Sequence, residues 1–230
     1  MNAQKPVISP SILAADPMSL GEEIRSVQNA DEVHVDIMDG LFVPNLAGGP
    51  DLVKGVVGLG VLPTDVHLMV DHPDHWAPIC AKLGAASVSF HAEAAEGPLT
   101  LARKLRSLGV RPGVAFRPTT SVQPYLPFLN EFGMVLIMTV EPGFGGQVFL
   151  PETLEKVNAV RSRADADGLD LAIQVDGGID RQTIRLAADA GANVFVAGSA
   201  VFRSSDPAEE VEALREIAAR SMAGPGPLRA

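Results

Sequence analysis

The chain has 230 residues, of which 47% are hydrophobic and 20% charged, so it is long enough to bury one large core as an ordinary globular protein does. Its formal net charge of −10 argues against nucleic acid or an anionic membrane surface as a partner, because both attract basic protein surfaces. The single cysteine, Cys80, excludes an intrachain disulfide, and no run reaches the roughly 18 apolar residues of a membrane helix, so we expect a cytoplasmic protein with no membrane partner.

Short β-like runs alternate with helix-like stretches along the chain. Apolar or β-branched runs bounded by Gly, Pro or polar residues predict strands at residues 7–13, 33–36, 64–69, 87–91, 113–116, 135–138, 172–176 and 193–197. Apolar residues at three- and four-residue spacing predict helices, most clearly at 20–27, 99–108, 154–163, 183–190 and 207–220.

The alternation defines the expected fold class and domain boundaries. Eight β-then-α units predict an α/β protein, a TIM (β/α)8 barrel, as one domain over residues 1–220. An open, doubly wound sheet is the structural alternative, but such sheets usually have fewer strands. Two Gly-Pro pairs in residues 221–230 predict a flexible C-terminal tail.

Potential metal ligands stand at the ends of three predicted strands. His34 and Asp36 end the second strand and face the same way, because strand side chains alternate. His67 lies near the end of the third strand, and Asp176 ends the seventh. A single His or Asp at such a position is usually part of a turn or a hydrogen bond. Because carboxyl-terminal strand ends share one mouth in a barrel, the four together predict a site for Zn²⁺, Fe²⁺, Mn²⁺ or Co²⁺.

Other polar residues near strand ends have simpler interpretations. His72 and His75 lie in an Asp-His-Pro-Asp-His turn that leads into a helix, and we interpret them as solvated loop residues. Arg117 follows the fifth predicted strand and could contact the substrate or cap its loop, and we favour the loop interpretation.

Three Gly-rich loops follow strands six, seven and eight and predict a phosphate site. They span residues 141–147, 176–179 and 197–200. Glycine lets backbone N–H groups approach an anion closely, and TIM barrels often bind phosphate after strands seven and eight. Each loop alone could be an ordinary turn, but three at the same end of a barrel favour a phosphate ligand.

Apolar residues at the same end complete the predicted mouth. Met38, Met69 and Met138 lie near the ends of strands two, three and six. Methionine is usually core filler, but here the three predict an uncharged, polarisable lining beside a reactive intermediate. Phe144, in the first Gly-rich loop, is either part of a lid or a packing anchor for that loop.

A divalent metal and two carboxylates suit removal of a proton next to a carbonyl. The metal stabilises the enediolate, one carboxylate takes the proton from one face, and a second acid returns a proton to the other. Asp36 and Asp176 come from strands well separated around the barrel, so they could flank a flat substrate and invert one carbon.

Seven motifs resemble one known family in order along nearly the whole chain. They are SPSIL at 9–13, HVDIMDG at 34–40, FVPNL at 42–46, DVHLM at 65–69, MTVEPGFGGQ at 138–147, VDGGI at 175–179 and VAGSA at 196–200. The chain thereby resembles the ribulose-phosphate 3-epimerases, and the second and fifth motifs are highly specific. The resemblance implies a TIM barrel that interconverts D-ribulose 5-phosphate and D-xylulose 5-phosphate and assembles as a homo-oligomer, a dimer or hexamer.

The resemblance also implies a role for each matching residue. It implies that His34, Asp36, His67 and Asp176 bind one divalent metal, with Zn²⁺ or Fe²⁺ expected before Mn²⁺ or Co²⁺. Asp36 is the implied proton acceptor and Asp176 the donor in one direction, and the roles reverse in the other. The resemblance further implies that the sugar is contacted by Ser9 and His67 and covered by Gly143, Phe144, Gly145 and Gly146. It implies that the phosphate is held by the backbone amides of Gly177, Gly178, Gly198 and Ser199. The implied lining of the site is Met38, Met69 and Met138.

Three stretches depart from the family pattern, at residues 28–31, 46–50 and 116–120, and none includes a predicted ligand. These departures bear on which sugar is bound.

Three alternative functions remain open. An allulose 6-phosphate 3-epimerase would use the same metal and bases. A phosphate-binding decarboxylase would carry Asp-x-Lys-x-x-Asp, whereas Met38 stands where the lysine should be. A non-catalytic sugar-phosphate-binding barrel would not require two acids and two histidines.

Overall fold

Eight parallel strands form a closed inner sheet in the computed structural model, which describes residues 5–223. The strands are β1 (Val7–Pro10), β2 (Val33–Asp39), β4 (Thr64–Met69), β5 (Ser87–His91), β6 (Arg111–Phe116), β7 (Met134–Met138), β8 (Ala172–Asp176) and β9 (Val194–Ala197). They are hydrogen-bonded in the order β1-β9-β8-β7-β6-β5-β4-β2. A parallel bridge between Ser11 and His34, with a hydrogen bond from the Asp31 N–H to the Ile8 carbonyl, brings β1 beside β2 and closes the barrel. The predicted fold class is confirmed.

Helices surround this barrel. They are α1 (Leu20–Ser26), α2 (Pro50–Leu59), α3 (Pro73–Lys82), α4 (Pro98–Ser107), α5 (Leu154–Ala166), α6 (Thr183–Asp189), α7 (Ser199–Phe202) and α8 (Pro207–Met222). Short 3-10 helices occupy Ile12–Ala14, Gln123–Glu131 and Pro151–Thr153. None of the helices within residues 5–223 is both long and apolar enough to cross a bilayer.

Two features of the chain path differ from the sequence expectation. A two-residue strand, β3 (Leu46–Ala47), pairs antiparallel with the end of β2. Between β6 and β7 the connection is 3-10 helix, and Pro127 lies inside it. Proline lacks the N–H and crowds the preceding turn, so it disfavours an α-helix in this segment.

The C-terminal helix begins as its sequence predicts and ends later. Asp206 caps it by accepting a hydrogen bond from the Glu209 N–H at 3.0 Å, and Pro207 occupies the first turn. The helix runs to Met222, two residues into the predicted tail. Residues 224–230 of that tail lie outside the described residues, and the single-domain boundary at residue 220 stays a prediction.

Side-chain alternation divides the sheet into an apolar outer face and a polar interior. Val33, Val35 and Ile37 of β2 join the core that packs against the helices, together with Val66 and Leu68 of β4. The intervening residues point inward, and the fully buried polar ones are Ser9, His34, Asp65, His67, Ser87, Ser89, His91 and Gln174. The barrel interior therefore holds a continuous set of groups that can position a polar site.

Candidate metal centre and substrate mouth

The four predicted ligands meet at one end of the barrel. One donor atom from each of His34, Asp36, His67 and Asp176 lies within 4.8 Å of the others. Strand register accounts for part of this, because Asp36 on β2 is paired with His67 on β4. Asp36 Oδ1 lies 3.3 Å from His34 Nε2 and 3.2 Å from His67 Nδ1, and Asp176 Oδ2 lies 3.8 Å and 3.5 Å from the same two atoms.

A buried carboxylate fixes the orientation of His34. His34 Nδ1 donates to Asp65 Oδ2 at 2.8 Å, so Nε2 is the ring nitrogen directed into the cluster. Asp65 also accepts hydrogen bonds from Gln174 Nε2 at 2.8 Å and from the Ser87 hydroxyl. Burial raises the pKa of Asp65, but hydrogen bonds from His34, Ser87 and Gln174 outweigh burial and lower it. Asp65 is therefore an ionised anchor for the His34 ring.

The donor atoms fit a divalent cation. His34 Nε2 is buried, and its 3.3 Å contact with Asp36 Oδ1 does not have hydrogen-bond geometry, so the atom has no hydrogen-bond partner among residues 5–223. Leaving a buried polar atom unsatisfied typically costs about 1–3 kcal/mol. Burial lowers the pKa of His34, but the charges of Asp36 and Asp65 outweigh it and raise the pKa well above its ordinary value. Burial raises the pKa of Asp36, but His34 and His67 outweigh it and lower the pKa. Two imidazole nitrogens and two carboxylate oxygens are a mixed set that Zn²⁺, Fe²⁺, Mn²⁺ or Co²⁺ accepts.

His67 continues the cluster into a second group of side chains. Its Nε2 lies 3.1 Å from His91 Nε2, and His91 Nδ1 lies 3.1 Å from Glu93 Oε2. Burial lowers the pKa of His91 to about 4. Burial raises the pKa of Glu93, but hydrogen bonds from His91, Thr120 and the Arg117 N–H outweigh it and lower the pKa to about 2. His91 and Glu93 therefore form a neutral imidazole beside an ionised carboxylate.

A cavity opens directly above the cluster. It encloses about 550 Å³ of space between atoms, part of it open to solvent. Asp36 and Asp176 line it, with their side chains 4% and 15% exposed, whereas His34 and His67 are fully buried below. The other predicted residues that line it are Met38, Met69, Met138, Gly143, Phe144, Gly145, Gly146, Gly177, Gly178, Gly198 and Ser199.

The structure corrects the predicted sugar contact of Ser9. Ser9 is fully buried within β1, and its hydroxyl has no hydrogen-bond partner among the described residues. Ser11 faces the same way two residues later, lines the mouth, and donates to Asp36 Oδ2 at 2.8 Å. The two-residue period of a strand places Ser9 one layer deeper in the barrel than Ser11. Ser11 thus takes the position expected of Ser9.

The position of His67 also bears on its second predicted role, which was contact with the sugar. Both of its ring nitrogens are engaged, Nδ1 beside Asp36 and Asp176 and Nε2 beside His91, and the ring is fully buried. This geometry supports His67 as a ligand and gives no support to a contact with the sugar.

Backbone hydrogen bonds and glycine conformations shape the loop after β8. Gly177 and Gly178 have φ of +120° and +66°, values at which a side chain is strained. A Cβ on Gly177 would overlap the Val140 side chain, and one on Gly178 would lie 2.8 Å from the Phe149 nitrogen. The Thr139 hydroxyl donates to the Gly177 carbonyl at 2.6 Å. The loop is therefore held in one shape beside the mouth, next to the start of α7.

The loop after β7 covers one side of the mouth. Asn45 Nδ2 donates to the Gly143 carbonyl at 2.7 Å, and Gln147 Nε2 donates to the carbonyls of Glu141 at 2.6 Å and Phe144 at 2.8 Å. The Phe144 side chain is half exposed at the rim. The Asn45 contact ties the Gly-rich loop to the connection between β2 and β3, and the two Gln147 contacts hold the loop's own shape.

The residues given simpler interpretations lie away from the cluster. His72 precedes α3 and His75 lies in its first turn, and both are exposed. His75 is therefore helical rather than in a loop. The Arg117 guanidinium lies 4.1 Å from the centre of the Phe42 ring and donates to the Phe42 carbonyl at 2.6 Å, so it braces a loop as expected.

Sequence reasoning missed the residues that support the ligands from below. Asp65, Gln174, His91, Glu93 and Ser11 were not identified. A signal was present, since Asp65 and Gln174 each stand two residues before a predicted ligand and so face the same side of their strands.

Comparisons with known proteins agree with this geometry. A sequence profile of the ribulose-phosphate 3 epimerase family matches residues 7–202. The chain is 50% identical over 213 residues to the ribulose-phosphate 3-epimerase of Mycobacterium bovis, with 93% of each chain covered. It is 44% identical over 211 residues to the Bacillus subtilis protein of that name, with 90% of this chain and 97% of that one covered. The solved structure of 3-hexulose-6-phosphate synthase from Salmonella typhimurium matches with a TM-score of 0.69 at 16% identity over 94% of this chain and 99% of that one, a likeness of fold alone. The chain therefore belongs to the ribulose-phosphate 3-epimerase family.

Proposed function

We propose that this protein is an isomerase that epimerises C3 of D-ribulose 5-phosphate to give D-xylulose 5-phosphate. The observation that carries the proposal is the placement of Asp36 and Asp176. Each directs one carboxylate oxygen into the ligand cluster, and both side chains line the mouth above it. Family membership and the names of the curated relatives support the same reaction.

His34, Asp36, His67 and Asp176 are the residues that would hold the metal, with Zn²⁺ or Fe²⁺ expected before Mn²⁺ or Co²⁺. When bound there, a divalent cation supplies positive charge that polarises the substrate carbonyl and stabilises an enediolate.

The two carboxylates move the proton. Asp36 Oδ2 takes the C3 proton, and the electron pair of the broken C–H bond enters the C2–C3 bond of the enediolate. Asp176, protonated on Oδ1, gives its proton to the opposite face of C3, and the C2 carbonyl re-forms. In the reverse direction the two residues exchange roles. Ser11 donates to Asp36 Oδ2 at 2.8 Å and thereby orients the oxygen that takes the proton.

The rest of the mouth positions the sugar phosphate and excludes water. Backbone amides of Gly177, Gly178, Gly198 and Ser199 would hold the phosphate, as loops after the last two strands do in other TIM barrels. Met38, Met69 and Met138 present no charge to the enediolate. Residues 143–146 would close over the sugar.

Exchange experiments on two variants test the two-base mechanism. Asn keeps an oxygen ligand at either position but cannot carry the transferred proton, so Asp36→Asn and Asp176→Asn should each lower epimerisation by about 10²–10⁴-fold. Asp176→Asn should still exchange C3 of D-ribulose 5-phosphate with D₂O, whereas Asp36→Asn should not. Exchange and turnover are followed by NMR, and bound metal by elemental analysis.

Asp51→Asn, an exposed change in the first turn of α2, is the control and should retain full activity. Full epimerisation by either active-site variant would contradict the mechanism. Turnover of allulose 6-phosphate with none of the pentulose would retain the mechanism and change the substrate, and metal-independent binding without turnover would indicate a sugar-phosphate-binding barrel.

Two further parts of the proposal concern the protein's setting. We expect a homo-oligomer, a dimer or hexamer, which sedimentation of the full chain would measure. A cytoplasmic location also stays a prediction, and fractionation of cells that express the chain would test it.

A further inference from the structure

His67 connects the ligand cluster to a carboxylate that lies outside it. His67 Nδ1 lies 3.2 Å from Asp36 Oδ1, while its Nε2 lies 3.1 Å from His91 Nε2. On the far side of His91, Nδ1 lies 3.1 Å from Glu93 Oε2. The three side chains form one continuous hydrogen-bonded line, in which His67 and His91 are fully buried.

Proton positions along this line depend on one another. Two imidazole nitrogens in hydrogen-bond contact share a single proton, because two N–H groups would clash and two lone pairs would repel. The Glu93 carboxylate only accepts, so His91 Nδ1 carries a proton and donates to it. A neutral His91 then presents a lone pair at Nε2, and His67 Nε2–H donates to that lone pair. A proton on His67 Nε2 leaves Nδ1 as the nitrogen that can offer a lone pair to a metal.

Surrounding contacts fix Glu93 and His91 in place. Glu93 Oε1 accepts from the Arg117 N–H at 2.8 Å, so both carboxylate oxygens have a donor. The Phe42 ring packs on His91 with 4.7 Å between ring centres, and the Arg117 guanidinium covers the Phe42 ring. The line therefore ends on an anchored carboxylate rather than on a mobile side chain.

We propose that Glu93 is a positioning residue that acts through His91 to fix the tautomer and orientation of His67, so that Nδ1 is free to bind the metal. The inference rests on the metal site of the proposed function. Neither Glu93 nor His91 is among the residues that line the mouth, so neither is assigned a contact with the substrate.

Glu93→Gln is the informative substitution, because it preserves shape and removes one acceptor. The amide has one oxygen for two donors, the Arg117 N–H and His91 Nδ1–H. If its NH₂ faces His91, the His91 proton moves to Nε2, and the His67 proton is forced onto Nδ1 and faces Asp36. If its NH₂ faces Arg117, the amide N–H opposes the Arg117 N–H, and the glutamine side chain moves away. Either result weakens Nδ1 as a ligand.

The first measurement is Zn²⁺ affinity of the full chain by competition with a chromogenic chelator. We expect Glu93→Gln to bind Zn²⁺ about 10–100-fold more weakly than the wild type, the usual effect of losing such an outer partner. Glu96→Gln makes the same chemical change at an exposed position of the same β5–α4 loop and should leave the affinity unchanged. Circular dichroism and thermal unfolding check that each variant is folded.

The second measurement needs no variant. Nitrogen-15 spectra of the Zn²⁺-loaded wild type, labelled at histidine, should show protonated Nε2 on His67 and protonated Nδ1 on His91. Unprotonated Nδ1 on His91, or equal Zn²⁺ affinity of Glu93→Gln and wild type, would overturn this inference alone. A wild-type chain that binds no divalent metal would overturn it together with the metal-dependent function.

Discussion

Ser9 and Ser11 differ by two positions in the chain and by one layer in the barrel interior. Both point inward from the first strand, but only Ser11 reaches the mouth and donates to Asp36. A hydrogen bond to an ionised carboxylate contributes about 1.5–3 kcal/mol. The hydrogen bond that the Ser11 hydroxyl donates therefore bears directly on the oxygen assigned to proton transfer.

Removing each hydroxyl in turn should distinguish the roles of Ser9 and Ser11. We expect Ser11→Ala to lower kcat by about 10–100-fold, because Asp36 Oδ2 loses the donor that orients it. Ser9→Ala should change kcat little, since the Ser9 hydroxyl is buried without a partner among the described residues. Steady-state kinetics on both variants measure the difference, and a larger loss for Ser9→Ala would contradict the assignment.

At the scale of elements, the loop after β8 shows how backbone conformation builds the mouth. Gly177 and Gly178 adopt positive φ in contact with Val140 and Phe149, and the Thr183 hydroxyl donates to the Gly178 carbonyl at 2.8 Å. A side chain at Gly177 would meet both a strained φ and an occupied space. The shape of the loop after β8 is therefore set by backbone geometry that only glycine adopts at low cost.

An alanine scan of two glycines tests this geometry. Gly177→Ala should destabilise the fold by about 1–3 kcal/mol and raise KM for the sugar phosphate, because the loop must shift. Gly55→Ala, at an exposed position inside α2 with no atoms near its Cβ site, should stabilise the chain by about 0.5–1 kcal/mol. Urea unfolding and steady-state kinetics measure both effects. Unchanged KM and stability for Gly177→Ala would contradict the account of the loop.

Some features of the strands could be predicted from the sequence, and others could not. All eight parallel strands were predicted, because their apolar runs and bounding residues are local features. The meeting of the four candidate ligands was also predicted, because strand ends share one mouth in any such barrel. The second strand was predicted too short, at 33–36 against Val33–Asp39, because its last residues are held by pairing with β4 and β3, and no local pattern specifies such pairing.

Contacts across the barrel were beyond sequence reasoning. Asp65 supports His34 from a neighbouring strand, and Gln174 reaches Asp65 from 109 residues away. His91 meets His67 because β4 and β5 are adjacent in register. Such pairings depend on register and rotamer, which no local pattern specifies.

At the scale of the whole molecule, the outer face and the interior of the closed sheet have different roles. Its outer face carries the apolar core that packs against the helices, and its interior carries buried polar groups that lead up to the ligands. The net charge of −10 does not conflict with a phosphate ligand, because backbone amides and a bound cation can hold the anion without a basic surface. The fold thus supplies a rigid frame for a small, charged substrate.

The measurement that tests the central claim most directly is proton exchange at C3 of the substrate. Metal-loaded protein is incubated with D-ribulose 5-phosphate in D₂O, and C3 is followed by NMR, with a sample treated with chelator as the control. We predict that deuterium enters C3 as D-xylulose 5-phosphate appears, and that chelation stops both. Absence of both deuterium at C3 and D-xylulose 5-phosphate, in protein shown to hold metal, would contradict the proposed epimerase.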